Sequence, residues 1–183
     1  MRKRKKKRLI SVFGSSKIQD NLHEYKAAKG LGELLGKNGY DICTGGYDGL
    51  MSAVSEGGKI GGAKVKGITM EIFDLPPNKW LDEEIKVKNF FPRLEILLEK
   101  VDGYVALAAG LGTMAEVLLA WSMLSIDAIK SKPLILMGDF WKEIMDLFER
   151  RLYINPEGSL ERADIVSTPS DVIEILNRFK WED

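Results

Sequence analysis

The chain reads as a single doubly wound α/β domain, and three observations predict it. Short apolar, β-branched runs alternate with longer amphipathic stretches along nearly all of the 183 residues. Glycine-rich turns follow several of the apolar runs. No membrane-length apolar segment interrupts the alternation, and 183 residues suit one domain with a sizeable core. Strands that alternate with helices form a parallel sheet that must be covered on both faces.

Leu9 to Phe13 is the first strand, stopped by Gly14-Ser15-Ser16, and the spacing of Leu22, Tyr25, Ala28, Leu31, Leu34 and Leu35 predicts a helix ending at Gly36 to Gly39. Tyr40 to Cys43 is the second strand, Thr44 to Gly49 a turn, and Leu50 to Ser55 a helix running into a glycine-rich connection. Lys64 to Thr69 is the third strand. The segment with Pro76, Pro77 and Trp80 reads as an excursion loop, of the length that usually carries function. Glu84 to Asn89 reads as a short strand, Arg93 to Lys100 as a helix and Gly103 to Leu107 as a strand. Helix Thr113 to Leu124, strand Leu134 to Met137, helix Trp141 to Leu152, strand Asp164 to Ser167 and helix Asp171 to Phe179 complete the series. The expected fold is a Rossmann-like, doubly wound sheet of about seven parallel strands with helices on both faces, spanning residues 9–183.

Composition removes several function classes. The single cysteine, Cys43, forbids an internal disulfide, and the basic N-terminus lacks the apolar segment of a secretory signal, so a cytoplasmic location is expected. With His23 the only histidine and Cys43 the only cysteine, most zinc sites are excluded. The net charge of zero hides a split. Residues 2–8 are all basic, and setting them aside leaves 20 basic against 27 acidic residues, a body of net −7. Such a body is a poor nucleic-acid surface, so nucleic acid is not an expected partner, and residues 1–8 read as a disordered, solvated basic arm. No apolar stretch approaches the roughly 18 residues of a membrane helix, so no membrane partner is expected either.

In a sheet of this kind ligands bind at the carboxyl ends of the strands. Three glycine- and hydroxyl-bearing loops belong there: Gly14 to Lys17, with Ser15 and Ser16; Thr44 to Gly49, with Gly45 and Gly46; and Ala108 to Thr113, with Gly110, Leu111 and Gly112. The last runs from strand to helix, so its backbone N–H groups and the helix dipole favour a phosphate-sized anion. None of the three has Walker spacing, and ATP hydrolysis is not expected.

Two side chains stand out for chemistry. Glu116, three residues after Thr113, is either the partner of a Thr113 capping box or a carboxylate at the anion turn. Arg93 follows Pro92 at a helix start, and is either aimed at the same edge or a surface residue paired with Glu95 or Asp102.

Arg93 together with Gly110-Leu111-Gly112-Thr113-Met114-Ala115-Glu116 resembles the LOG (Lonely Guy) phosphoribohydrolase family, whose members were often labelled lysine decarboxylases. The family's motifs are Met-x-x-Arg-Lys and Pro-Gly-Gly-x-Gly-Thr-x-x-Glu, and the separation of 23 residues between Arg93 and Glu116 is the family's. Val12 to Ser16, Thr44-Gly45-Gly46 with Gly49-Leu50-Met51, and Trp121 upstream of Lys132-Pro133 match as well, so the resemblance covers nearly the whole chain. It implies cleavage of the N-glycosidic bond of AMP or an N6-substituted AMP to free base and ribose 5-phosphate. Gly110 to Thr113 would hold the 5′-phosphate, Glu116 would stabilise the oxocarbenium-like charge or orient water, and Arg93 would assist the leaving base or hold Glu116. No metal or other cofactor is implied, and nothing here resembles a lysine constellation for pyridoxal phosphate. A neighbouring branch of the superfamily consists of binding or carrier proteins, for example for molybdenum cofactor.

The family's assembly implies a homodimer or larger oligomer, and Trp121, Met123 and Leu124 fit either an interface or the core. The chain departs from the motifs at Ala108 and Ala109, in place of Pro-Gly, at Leu94, in place of Lys, and at Phe90, in place of Met. If position 109 requires a positive φ, its Cβ costs about 1–2 kcal/mol and reshapes the turn.

Overall fold

The computed structural model describes residues 7–18, 22–153 and 158–182. Among these, seven strands form one all-parallel sheet in the order β4-β3-β2-β1-β5-β6-β7. The strands are β1 (Leu9–Phe13), β2 (Asp41–Thr44), β3 (Val65–Met70), β4 (Glu83–Val87), β5 (Gly103–Ala106), β6 (Leu134–Met137) and β7 (Ala163–Val166). The helices are α1 (His23–Lys37), α2 (Leu50–Gly61), α3 (Phe90–Glu99), α4 (Leu111–Ser125), α5 (Asp139–Arg151) and α6 (Pro169–Arg178), with a short 3-10 turn at Leu160–Arg162. β1 is the central strand, with β2, β3 and β4 on one side and β5, β6 and β7 on the other. From β1 the chain winds outward through β2 to β4, then returns to β5 beside β1 and winds the other way. The crevice of such a sheet opens at the switch point, here at the carboxyl ends of β1 and β5.

Strand alternation divides the core into two layers. Ile10, Val12, Ile42, Val65, Val105 and Ile135 face α1, α2 and α6, packing on Leu31, Leu35, Val54 and Leu176. Phe13, Cys43, Ile68, Tyr104, Ala106 and Leu136 face α3, α4 and α5, packing on Leu97, Val117, Trp121 and Trp141. Trp121 and Leu124 are thus core residues, with Met123 half-buried against them. Leu118, Leu119 and Ile126 are the apolar side chains that this region leaves exposed.

The glycine-rich connection expected after Ser55 is helix. Through Gly57 and Gly61, α2 lies directly on α1: a Cβ on Gly57 would fall 1.9 Å from Lys29 O, and one on Gly61 2.2 Å from Glu33 O. Those glycines lower helix propensity, but the close backbone approach they permit outweighs it, and this is why the local pattern misled. Helix starts also moved. Asn89 caps α3 through its side chain, which accepts from Phe91 N–H. Gly110, not Thr113, is the N-cap of α4. A true capping box occurs at α6, between Thr168 and Asp171.

Residues 1–6 of the expected arm lie outside the described residues, while Lys7 pairs with Asp41 at 3.6 Å and Arg8 with Asp102 at 3.2 Å. Among the described residues, no helix is long and apolar enough to cross a membrane.

Candidate active site

The turn after β5 leads from the sheet into the N-terminus of α4. Leu107 N–H still donates to Phe13 O at 2.9 Å, extending the sheet, and Ala108 O then accepts Ser15 N–H at 3.0 Å. Among the described residues, Asp127 is the non-glycine with positive φ, so Ala108 and Ala109 take this turn without left-handed strain. Position 109 does not take a positive φ, so the condition for that Cβ cost is not met.

Gly110 has φ −111° and ψ −173°, which any residue adopts, and no side chain caps the helix that follows. A Cβ on Gly110 would meet only Ser15 Oγ at 3.8 Å, and one on Gly112 would meet nothing within 4 Å. The protein's own packing does not require glycine at either place. What the two glycines provide is unobstructed access to the N–H groups of Leu111, Gly112 and Thr113, which lack intrahelical partners.

The loop from Gly14 to Lys17 is stitched to both neighbours. Besides the bond to Ala108, Ser15 O accepts Leu50 N–H at 3.0 Å, and Ser15 Oγ accepts Lys17 N–H at 3.2 Å. Gly14, Ser15 and Ser16 line the same cleft as Gly110, Leu111, Gly112 and Thr113.

Gly45 and Gly46 are placed differently. Both are buried, and neither lines the cleft. A Cβ on Gly45 would fall 2.0 Å from Arg93 Nη2, so this glycine makes room for a guanidinium. Gly46 has φ +81° and packs against Gly67 and Thr69. The glycine-rich turn after β2 thus shapes the site from beneath.

Arg93, in the first turns of α3, is buried with its donors assigned. Nε donates to Ile68 O at 2.8 Å, Nη2 to Gly45 O at 3.4 Å, and Nη1 stands 3.5 Å from Glu116 Oε1. The surface alternatives are taken elsewhere: Glu95 pairs with Lys100 and Asp102 with Arg8. Glu116 lies one and a half turns into α4, too far along for a cap, and is buried beside Arg93 at 6 % exposure. Burial pushes its carboxyl up to about 7 against the opposing pull of the Arg93 cation. A carboxyl group balanced near neutral pH by a buried cation, at the floor of a cleft, is a recognised mark of a reactive site.

The cleft holds about 530 Å³. One wall is the polar turn Gly110 to Thr113 with Ser15 and Ser16; the other is apolar, formed by Tyr47, Met70, Ile72, Phe73, Leu75 and Phe90. The apolar wall was not foreseen residue by residue, although the proline-bearing excursion marked the segment that supplies Ile72 to Leu75. Its members lie on the turn after β2, on β3, on the excursion and on α3, and nothing in their local spacing announces that they meet. A second hollow of about 580 Å³ lies at the amino ends of the strands, where Lys7 pairs with Asp41, Arg8 with Asp102 and Lys130 with Glu182.

Residues 51–176 match the family described as "Possible lysine decarboxylase". A pyrimidine/purine nucleotide 5′-monophosphate nucleosidase from Escherichia coli (strain K12) is 32% identical over 151 residues, covering 76% of this chain and 32% of its own length. The chain thus spans about a third of the length of that relative. A cytokinin riboside 5′-monophosphate phosphoribohydrolase from Arabidopsis thaliana is 27% identical over 181 residues, covering 94% of this chain and 84% of its own. Among solved structures, the molybdenum cofactor binding protein from the phototrophic bacterium Rippkaea orientalis aligns with a TM-score of 0.75 at 27% identity, over 94% of this chain and 96% of that one.

Proposed function

This chain belongs to the family described as "Possible lysine decarboxylase", and we propose that within it the protein is a phosphoribohydrolase, cleaving the N-glycosidic bond of a nucleoside 5′-monophosphate such as AMP or an N6-substituted AMP. The decarboxylase description itself gains no support from the site. That chemistry needs a lysine to carry pyridoxal phosphate, whereas the buried floor is Arg93 with Glu116, and the lysine lining the cleft, Lys17, is an exposed loop residue.

The observation that carries the proposal is the buried Arg93–Glu116 pair beside an open helix N-terminus. The 5′-phosphate sits on the N–H groups of Leu111, Gly112 and Thr113 with the Ser15 and Ser16 hydroxyls nearby, and this fixes the ribose above Glu116. As the bond to the base breaks, water gives its hydroxyl to C1′ and its other hydrogen to the departing base nitrogen, so the products are ribose 5-phosphate and the neutral free base. Positive charge gathers on the ribose ring in between, and an ionised Glu116 stabilises it and orients the water. Arg93 spends Nε and Nη2 on carbonyls and turns Nη1 to the carboxylate, an arrangement suited to holding Glu116 ionised and in place. The apolar wall of Tyr47, Met70 and Phe73 suits a planar base. The relatives named for nucleotide and cytokinin riboside monophosphates support this reading.

We further propose a cytoplasmic homodimer or larger assembly. Exposed Leu118 and Leu119 on α4, with Ile126 just beyond its end, support the assembly, since side chains of this size commonly cluster at subunit contacts. A non-catalytic carrier of nucleotide or molybdenum cofactor is the second reading, supported by the likeness to the cofactor-binding protein.

The test is incubation with a panel of purine and pyrimidine 5′-monophosphates and the corresponding nucleosides, measuring ribose 5-phosphate and free base. Turnover of a monophosphate, and not of its nucleoside, is the expected outcome. Tight binding of molybdenum cofactor without turnover of any nucleotide would favour the carrier.

A further inference from the structure

Asn78 is a buried polar residue, 6 % exposed, that does not line the cleft and belongs to the excursion between β3 and β4. Its backbone N–H and both polar atoms of its side chain are engaged. Its backbone N–H donates to Gly46 O at 2.8 Å, and Nδ2 donates to Tyr47 O at 3.2 Å and reaches Ser55 Oγ at 3.5 Å. Its Oδ1 accepts Trp80 N–H at 3.1 Å.

The turn it grips is the one on which Arg93 rests. Gly45 O accepts from Arg93 Nη2, and the guanidinium lies so close to the Gly45 Cα that no Cβ fits between them. Tyr47, the third residue of the turn, is fastened from the other direction: its Oη accepts Met70 N–H at 2.8 Å, and its ring meets Phe73 edge-on with centroids 5.7 Å apart. The segment from Gly45 to Tyr47 is therefore clamped, with Arg93 on one side and Asn78 on the other.

We infer that Asn78 is a positioning residue for the Arg93–Glu116 pair, acting through the Gly45-Gly46-Tyr47 turn and touching neither the pair nor the ligand. The inference rests on the phosphoribohydrolase reading for its kinetic consequences, but not for its electrostatic one. Without the Asn78 amide, Tyr47 O loses a buried donor and the turn relaxes. Gly45 O then withdraws from Nη2, the cation loosens from Glu116, and the carboxyl is left with burial less opposed by charge. Its ionisation moves to higher pH.

A second anchor of the same excursion provides the control. Asp82 holds the far end, its N–H donating to Val65 O and its Oδ2 accepting Val65 N–H, both at 2.8 Å, and no bond joins it to the turn. Asn78→Ala, Asn78→Asp and Asp82→Ala are compared by urea unfolding, by kcat and KM for AMP across pH, and by 13C-NMR titration of the Glu116 carboxyl in the free protein.

The expected result is that both Asn78 variants lower kcat about 10- to 100-fold with little change in KM, as small misplacements of reacting groups do, and raise the pH at which Glu116 titrates. Asp82→Ala leaves kcat and that pH unchanged at a comparable loss of stability. The inference is overturned if the Asn78 variants titrate as the wild type does, or if Asp82→Ala reproduces their shift. A wild-type protein that cleaves no nucleotide removes the hydrolase reading alone, since the NMR titration still decides for or against the positioning role.

Discussion

Arg93 and Glu116, brought from different helices, stand 3.5 Å apart with each side chain only 8% exposed. Burial and the neighbouring cation pull the carboxyl in opposite directions, and burial prevails, leaving Glu116 near 7 instead of its usual 4.5. In the unfolded chain Glu116 releases its proton near the usual value, so between about pH 4.5 and 7 the folded state binds more protons than the unfolded one. Stability therefore falls as pH rises through that window, by up to about 3 kcal/mol from this group. Glu116→Gln is expected to remove this slope, as measured by urea unfolding at a series of pH values. If ionised Glu116 is the working form, kcat/KM of the wild type rises as pH increases through about 7.

Gly45→Ala tests whether Arg93 needs the space beneath it. The new methyl group falls 2.0 Å from Nη2, and the guanidinium must move or the turn must shift. A loss of about 1–3 kcal/mol in stability is expected from overpacking, together with a fall in kcat/KM of about 100-fold, because the pair is displaced. Unchanged kinetics at reduced stability would mean that the seat of Arg93 is not functional.

Gly112→Ala has the opposite sign in its two readouts. Nothing in the protein lies within 4 Å of the added carbon, and alanine favours the helix. Stability is expected to rise by about 0.5–1 kcal/mol. The methyl group also stands over the N–H groups proposed for the phosphate, so AMP affinity, measured by calorimetry, is expected to fall at least about tenfold, an energy of about 1.4 kcal/mol.

Gly57→Ala probes the fold away from the cleft. Its Cβ falls 1.9 Å from Lys29 O, a backbone atom that cannot swing aside. A loss of about 2 kcal/mol or more is expected in thermal or urea unfolding, in spite of alanine's better helix propensity. A neutral or stabilising effect would contradict the close packing of α1 on α2.

Most of the architecture was legible because strand and helix periods differ so plainly here; Leu9 to Phe13 and Leu134 to Met137 are strands at their expected bounds. Gly57 and Gly61 look like a linker by propensity, yet contacts distant in sequence make them helix, and of the two readings open for Glu116 the cap is excluded because α4 starts earlier, at Gly110. Within the site, Arg93 and Glu116 were found through paired motifs, and the structure brings them together. The separate work of Gly45 and Gly110 was not legible, since a glycine that admits a side chain and one that clears a backbone are the same letter. Asn78 carried no local signal at all: its partners, Gly46 and Tyr47, lie about thirty residues earlier.

The most direct measurement follows ribose 5-phosphate and free base from AMP, with wild-type protein and Glu116→Gln side by side and AMP binding measured for each. The expected result is equimolar release of the two products by the wild type, and AMP binding by Glu116→Gln with release reduced by at least about 100-fold. AMP bound by the wild type without release of either product, or turnover by Glu116→Gln at the wild-type rate, would contradict the proposed chemistry.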